Sequence, residues 1–219
     1  MKYLAIDLET SSGRDLNRSP DRILMASFVV EDTKQSVPVD KLPHFTCLID
    51  QPFIHGEPTA LAMNAWILVA LEYAKSKSNN DFPTKYMELG VPIETISKAM
   101  RAASVYPVLT LADFELQAAT FLAQHFGTKD RITIAGKNVT GFDLQFLPVS
   151  IKDKFRHNAI DWGMLFWKPM EDRQVPGSAD VMKRAGIEYK GAHDALEDNR
   201  MGIAAARTAY KRLTYFQEN

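Results

Sequence analysis

An α/β fold, a mixed β-sheet flanked by helices, is what this sequence predicts, and three observations carry the prediction. Apolar, strand-forming runs crowd the first fifty residues, with polar turns between them. From Thr110 onward strand-like and helix-like patterns alternate, a rhythm that implies parallel pairing through crossover helices. The chain is 219 residues long and 46% hydrophobic, enough to bury roughly 70% of its unfolded surface within one domain.

Lys2 to Leu8 is the first strand and Ile23 to Val30 the second, separated by the polar, Gly- and Pro-containing segment Ser11 to Arg22. His44 to Ile49 follows as a third, bracketed by Pro43 and Pro52, so the first quarter reads as an antiparallel meander. Ala60 to Leu71 is the longest apolar stretch. At 12 residues, with Asn64 inside it, this stretch is shorter than the roughly 20 a membrane span needs, and it is expected as a buried helix. Glu72 to Tyr106 reads as an insertion, a turn-rich SKSNNDFP segment followed by a helix near Ile93 to Ala103. Thr110 is the expected N-cap of the next helix, which carries Leu111, Phe114, Ala118, Phe121 and Leu122 on one face and stops at Gly127. Arg131 to Ala135 is the fourth strand, Phe142 to Leu147 a short helix, and Ala159 to Trp162 the fifth strand. Ser178 to Ala185 and Asp194 to Leu213 complete the chain as helices.

A net charge of −1 argues against a protein that coats nucleic acid through bulk charge, so any polyanion must be held by a local site. Cys47 is the one cysteine, which excludes an intramolecular disulfide and suits a reducing compartment. The opening MKYLAIDLET meets an acidic pair too soon to read as a signal peptide, and a cytoplasmic protein with no membrane partner is expected.

Three segments carry chemistry. Asp7 and Glu9 stand two positions apart on a strand, so both carboxylates project from one face, where a divalent cation would relieve their repulsion. A strand end that has reached water would carry the same pair. In IAGKNVTGFDLQFL a strand ends near Gly136 and Asp143 opens a helix, where an acid also suits the helix dipole. In GAHDALEDNR, His193 and Asp198 are five apart, roughly 140° around a continuous helix. With Asp194 as N-cap and Glu197 as its N3 partner, His193 becomes N′ and Asp198 N4, positions that meet across a helix start. A solvated acidic helix start with a surface histidine is the other reading. Four carboxylates with one histidine favour Mg²⁺ or Mn²⁺ over zinc, and two such ions can support in-line displacement at phosphorus while the histidine takes a proton from water. Trp66, Phe142 and Trp162 are candidates to stack on bases, although such aromatic residues are more often core. Lys152, Lys154 and Arg156, like Arg200, Arg207, Lys211 and Arg212, read best as solvated faces.

The order and spacing of these segments resemble the DEDDh 3′-to-5′ exonuclease family, the DnaQ-like group that includes polymerase proofreading subunits, RNase T and oligoribonucleases. IDLET is similar to its D-x-E motif, NVTGFDLQFL to its second motif, and HDALEDNR to its H-x4-D motif. EPTALAMN and VPGSADVMKRAGIEYKGAHDALED extend the likeness from Lys2 to about Tyr210, outside the insertion. The resemblance implies a ribonuclease H-like mixed five-stranded sheet flanked by helices. It implies that Asp7, Glu9, Asp143 and Asp198 hold two Mg²⁺ or Mn²⁺ ions, with His193 as general base. Thr10, Leu61, Asn64, Asn138 and Phe142 would contact the 3′ end of single-stranded DNA or RNA. Tyr189 has His193, and no aspartate, at the spacing of the family's tyrosine sister group, so it is not expected to serve as the base. KNVTGFD departs from the many relatives with histidine before the asparagine, which bears on polymer preference. A catalytically silent nucleic-acid-binding protein, or a structural subunit of a replication or repair complex, is the alternative. Such recruitment normally goes with a lost metal ligand, and all five positions are intact.

Overall fold

The computed structural model describes residues 1–12, 18–76, 81–128, 131–189 and 193–217, with side chains as far as 211. The meander forms as the apolar runs predict, from β1 (Lys2–Thr10), β2 (Ile23–Asp32) and β3 (His44–Ile49), each antiparallel to the last. Parallel strands extend it on both sides. β4 (Val108–Leu109) lies beside β3, while β5 (Ile132–Gly136) lies beside β1 and β6 (Phe155–Asp161) beside β5, giving the order β4-β3-β2-β1-β5-β6.

Six strands correct the expectation of five. The addition is β4, two residues long and preceded by Pro107, too short to show any periodicity; it is held because the amides of Leu48 and Asp50 reach the carbonyls of Pro107 and Leu109. β6 also begins four residues earlier than expected. Arg156, His157 and Asn158 are exposed, so that part of the strand has no apolar alternation to read.

The helices are α1 (Pro58–Met63), α2 (Ala65–Lys75), α3 (Phe82–Glu88), α4 (Ile93–Val105), α5 (Leu111–Phe126), α6 (Asp143–Phe146), α7 (Val149–Lys152), α8 (Trp162–Leu165), α9 (Ser178–Ala185) and α10 (Ala195–Gln217). The Thr110 hydroxyl accepts the Asp113 amide and Gly127 ends α5 at φ +76°, as the capping residues predict. One expected helix is broken: the apolar stretch Ala60 to Leu71 is divided at Asn64 between α1 and α2. Within the segment Glu72 to Tyr106, α3 and α4 form and α4 packs on α2, while residues 77–80 of its turn-rich part lie outside the described residues.

Strand alternation sorts β1 into two faces. Leu4, Ile6 and Leu8 join Phe114, Ala118 and Leu122 of α5 in one core, whereas Tyr3 and Ala5 join Val181 of α9 and Ile203 and Ala206 of α10 in a second. Asp7 and Glu9 continue the α10 face. Two polar ties seat α10 there: Asn199 Nδ2 donates to the Ser27 carbonyl at 3.0 Å, and Arg207 reaches the buried Glu31 at 2.6 Å. Ser27 is the register partner of Asp7, so the first tie brings the start of α10 over the acidic end of β1. Among the described residues no helix is long and apolar enough to cross a membrane.

Candidate metal centre

Asp7, Glu9 and Asp198 meet at that end of the sheet, with one carboxylate oxygen from each lying within 4.8 Å of the others. Asp143 stands beside them because it completes the hydrogen bonding of β1. β5 pairs with β1 only through Leu4 and Ala5, leaving the Leu8 amide without a strand partner on that side. Asp143, at the start of α6, accepts that amide on Oδ1 at 2.9 Å. Gly136 lets the end of β5 run close against β1, because a Cβ there would come within 2.8 Å of the Ile6 carbonyl.

The turn between β5 and α6 depends on Asn138, held in the left-handed region at φ +54°. Its carbonyl accepts the Gly141 and Phe142 amides, and its own N–H donates to Asp161 Oδ2 at 2.8 Å. Asp161 also caps α8 through the Gly163 amide. Sequence reasoning missed this acid at the end of β6, which shapes the rim without joining the carboxylate group.

At the other rim, Asp194 caps α10 as its position predicts, accepting the Leu196 and Glu197 amides at 3.1 and 3.3 Å. Glu197 departs from the capping-box expectation: its carboxylate pairs with Arg200 at 2.7 Å. That leaves His193 at N′ with φ +39°, a conformation disfavoured for a residue with a Cβ. The charge of His193, when protonated, opposes the burial that raises the Asp198 carboxyl.

These groups line one cavity of about 580 Å³, within the roughly 300–1,000 Å³ typical of ligand sites. Asp7, Glu9, Asp143, Asp198 and His193 are all on its wall, and so are Thr10, Asn64, Asn138 and Phe142. Leu61 is not. It sits half-buried on α1, next to the lining residue Ala60. Phe142 and Trp162 reach the cavity, whereas Trp66 is buried behind it. Arg200 and Arg207 are engaged with Glu197 and Glu31, and the side chain of Arg212 lies outside the described residues.

Two further residues bear on the site. Tyr189 lines the cavity; burial and then the charges of Asp198, Asp7 and Glu9 raise its phenol, keeping it a proton-bearing donor. Lys98 of α4 is half-buried, and burial lowers its ammonium while Asp194, Glu9 and Asp198 pull it back up. No periodicity could announce Lys98, because its relation to Glu9 exists only once α4 is folded onto α2.

Electrostatics explain why such a group could hold a divalent cation. Two carboxylate charges under 5 Å apart repel by about 3 kcal/mol at an effective dielectric near 20. Burial, then the charges of Asp143 and Glu9, hold the Asp7 carboxyl well above the usual range. Burial, then Asp198 and Asp194, does the same to Glu9, against Lys98 and a hydrogen bond from Asn64. Asp143 is raised by burial despite its bond from the Leu8 amide. An all-oxygen donor set of this kind suits a hard divalent ion such as Mg²⁺ or Mn²⁺ and not a soft one.

A pH dependence follows. Between the ordinary carboxylate pKa of about 4 and these raised values, the metal-free folded chain binds more protons than the unfolded chain. Its stability is then greatest at the acid end of that window and declines as pH rises through the folded-state values. In EDTA, the melting temperature should be higher at pH 5.5 than at pH 8, and Asp7→Asn should flatten the difference. A wild-type melting temperature that climbs between these pH values in EDTA would refute this account of the cluster.

No protein-family model matches the sequence, and neither does any curated protein. Solved structures do match. Cell-death related nuclease 4 aligns with a TM-score of 0.51 at 13% identity, over 97% of this chain and 64% of that one. Exonuclease I aligns with a TM-score of 0.55 at 16% identity, over 96% of this chain and 41% of that one. E. coli exonuclease I in complex with a 5cy-dT13 oligonucleotide gives a TM-score of 0.51 at 16% identity over the same shares. The chain thus spans less than two thirds of the length of each of these proteins. What they have in common with it is the fold, a mixed sheet flanked by helices and broadly ribonuclease H-like.

Proposed function

We propose that this chain is a DEDDh-type, DnaQ-like 3′-to-5′ exonuclease, a single domain that releases nucleoside 5′-monophosphates from the 3′ end of DNA or RNA. The observation that carries the reading is the group Asp7, Glu9 and Asp198, sharing one cavity with Asp143 and His193. Its setting supports it, since nucleases are among the solved structures with this fold and one of them holds an oligonucleotide. Asp7, Glu9, Asp143 and Asp198 would hold two Mg²⁺ or Mn²⁺ ions. Bound there, divalent ions would supply positive charge to the phosphate being cleaved.

The chain's own groups do the rest. His193 accepts the proton of the attacking water; the new P–O bond forms as the bond from phosphorus to the penultimate 3′ oxygen breaks. Phe142 offers a ring face to a base, while Thr10, Asn64 and Asn138, with Leu61 behind them, shape the seat of the terminal nucleotide. The helical segment 72–106 is an insertion beside that seat.

A 5′-labelled single strand incubated with Mg²⁺ or Mn²⁺ should shorten one nucleotide at a time from its 3′ end, and EDTA should stop it. Parallel DNA, RNA and duplex substrates read the polymer preference. Full activity in EDTA, or cleavage of a circular single strand, would overturn the proposal. Tight binding with no cleavage under any metal would favour a silent binding or structural subunit.

A further inference from the structure

The break in the apolar helix at Asn64 has a use. It places two side-chain donors of one corner, only two residues apart, on backbone carbonyls next to Glu9 of β1 and just ahead of α10. Asn64 Nδ2 donates to the Thr10 carbonyl at 3.0 Å, directly after Glu9, and Trp66 Nε1 donates to the His193 carbonyl at 3.1 Å. His193 is where such a hold is needed. Its left-handed φ of +39° is disfavoured for a residue with a Cβ, and such a conformation persists only where its surroundings over-determine it. The Asp194 cap fixes the chain after it, and the indole N–H fixes its own carbonyl. Trp66 is itself held: 5% exposed, it has the Lys98 ammonium over its ring face, 3.9 Å from the centroid. Lys98 belongs to α4, so the segment 72–106 reaches the histidine turn through one aromatic ring.

We propose that Trp66, buttressed by Lys98, is a positioning residue for His193, its indole N–H holding the left-handed turn that turns the imidazole into the cavity. This rests on the exonuclease reading above. Trp66 does not line the cavity, and Trp66→Phe keeps a ring beneath the Lys98 ammonium, so loss of the indole N–H acts on turnover through the His193 carbonyl it holds. A displaced general base costs far more than the hydrogen bond that held it, because proton transfer needs the reacting atoms within hydrogen-bond reach.

The test is a double-mutant cycle on a single-stranded oligonucleotide with saturating Mn²⁺. Trp66→Phe should lower kcat about tenfold and leave KM and Mn²⁺ affinity within about twofold. In a His193→Ala background the same substitution should cost nothing further. Trp66→Phe at the wild-type rate would overturn the proposal, as would an equal loss in both backgrounds. If the phenylalanine variant does not fold, 3-benzothienylalanine at 66 keeps the ring volume without the donor, and the same outcomes apply. Should His193→Ala itself retain full activity, the exonuclease mechanism fails, a result read independently of Trp66.

Discussion

Asp7→Ala should lower turnover by about 10³-fold or more, the equivalent of roughly 4 kcal/mol of lost transition-state stabilisation. Asp7 is the sharpest of the carboxylates to test, because Asp143, Glu9, Asp198 and Asp194 all press on its charge. Removing it leaves Glu9 and Asp198 without their common neighbour, so the binding of divalent ions should weaken with it. The same change relieves like-charge repulsion in the metal-free protein, so its melting temperature at pH 8 in EDTA should rise while activity disappears. Opposite movement of stability and activity separates loss of a ligand from loss of the fold. Glu197→Gln is the control, an exposed carboxylate paired with Arg200, and it should leave turnover unchanged. Near wild-type kcat in Asp7→Ala would remove Asp7 from the metal site.

His193→Ala should lose about 10²-fold, the usual contribution of a positioned general base, while Mn²⁺ binding by titration calorimetry stays intact because every carboxylate remains. The alanine variant should regain part of the lost rate as hydroxide is raised, because hydroxide replaces the missing base. A second variant at this position isolates the backbone: His193→Gly should be as inactive as His193→Ala but melt higher, since glycine adopts φ +39° without the steric cost that alanine retains. An alanine variant with the wild-type rate and pH profile would make His193 a bystander.

Local rules carried much of this protein from sequence to structure. The two-residue period of β1 was enough to put Asp7 and Glu9 on one face, since alternation is a property of any extended chain. Thr110, Gly127 and Asp194 mark their helix ends because a cap satisfies backbone groups within three or four residues of itself. The H-x4-D spacing likewise becomes meaningful as soon as Asp194 is read as a cap. Contacts between distant segments left no such mark. β4 exists only because β3 offers an edge, and the helix breaks at Asn64, whose side chain finds its partner on the distant Thr10 carbonyl. Asp198 joins Asp7 through a bond from Asn199 to Ser27 on another strand, and Lys98 and Trp66 reach the histidine turn through the packing of α4 on α2. Periodicity and caps report what a residue does to its neighbours along the chain; which acids share a cavity depends on how helices seat on the sheet, and that follows from side-chain volumes and hydrogen-bond partners brought together only by folding.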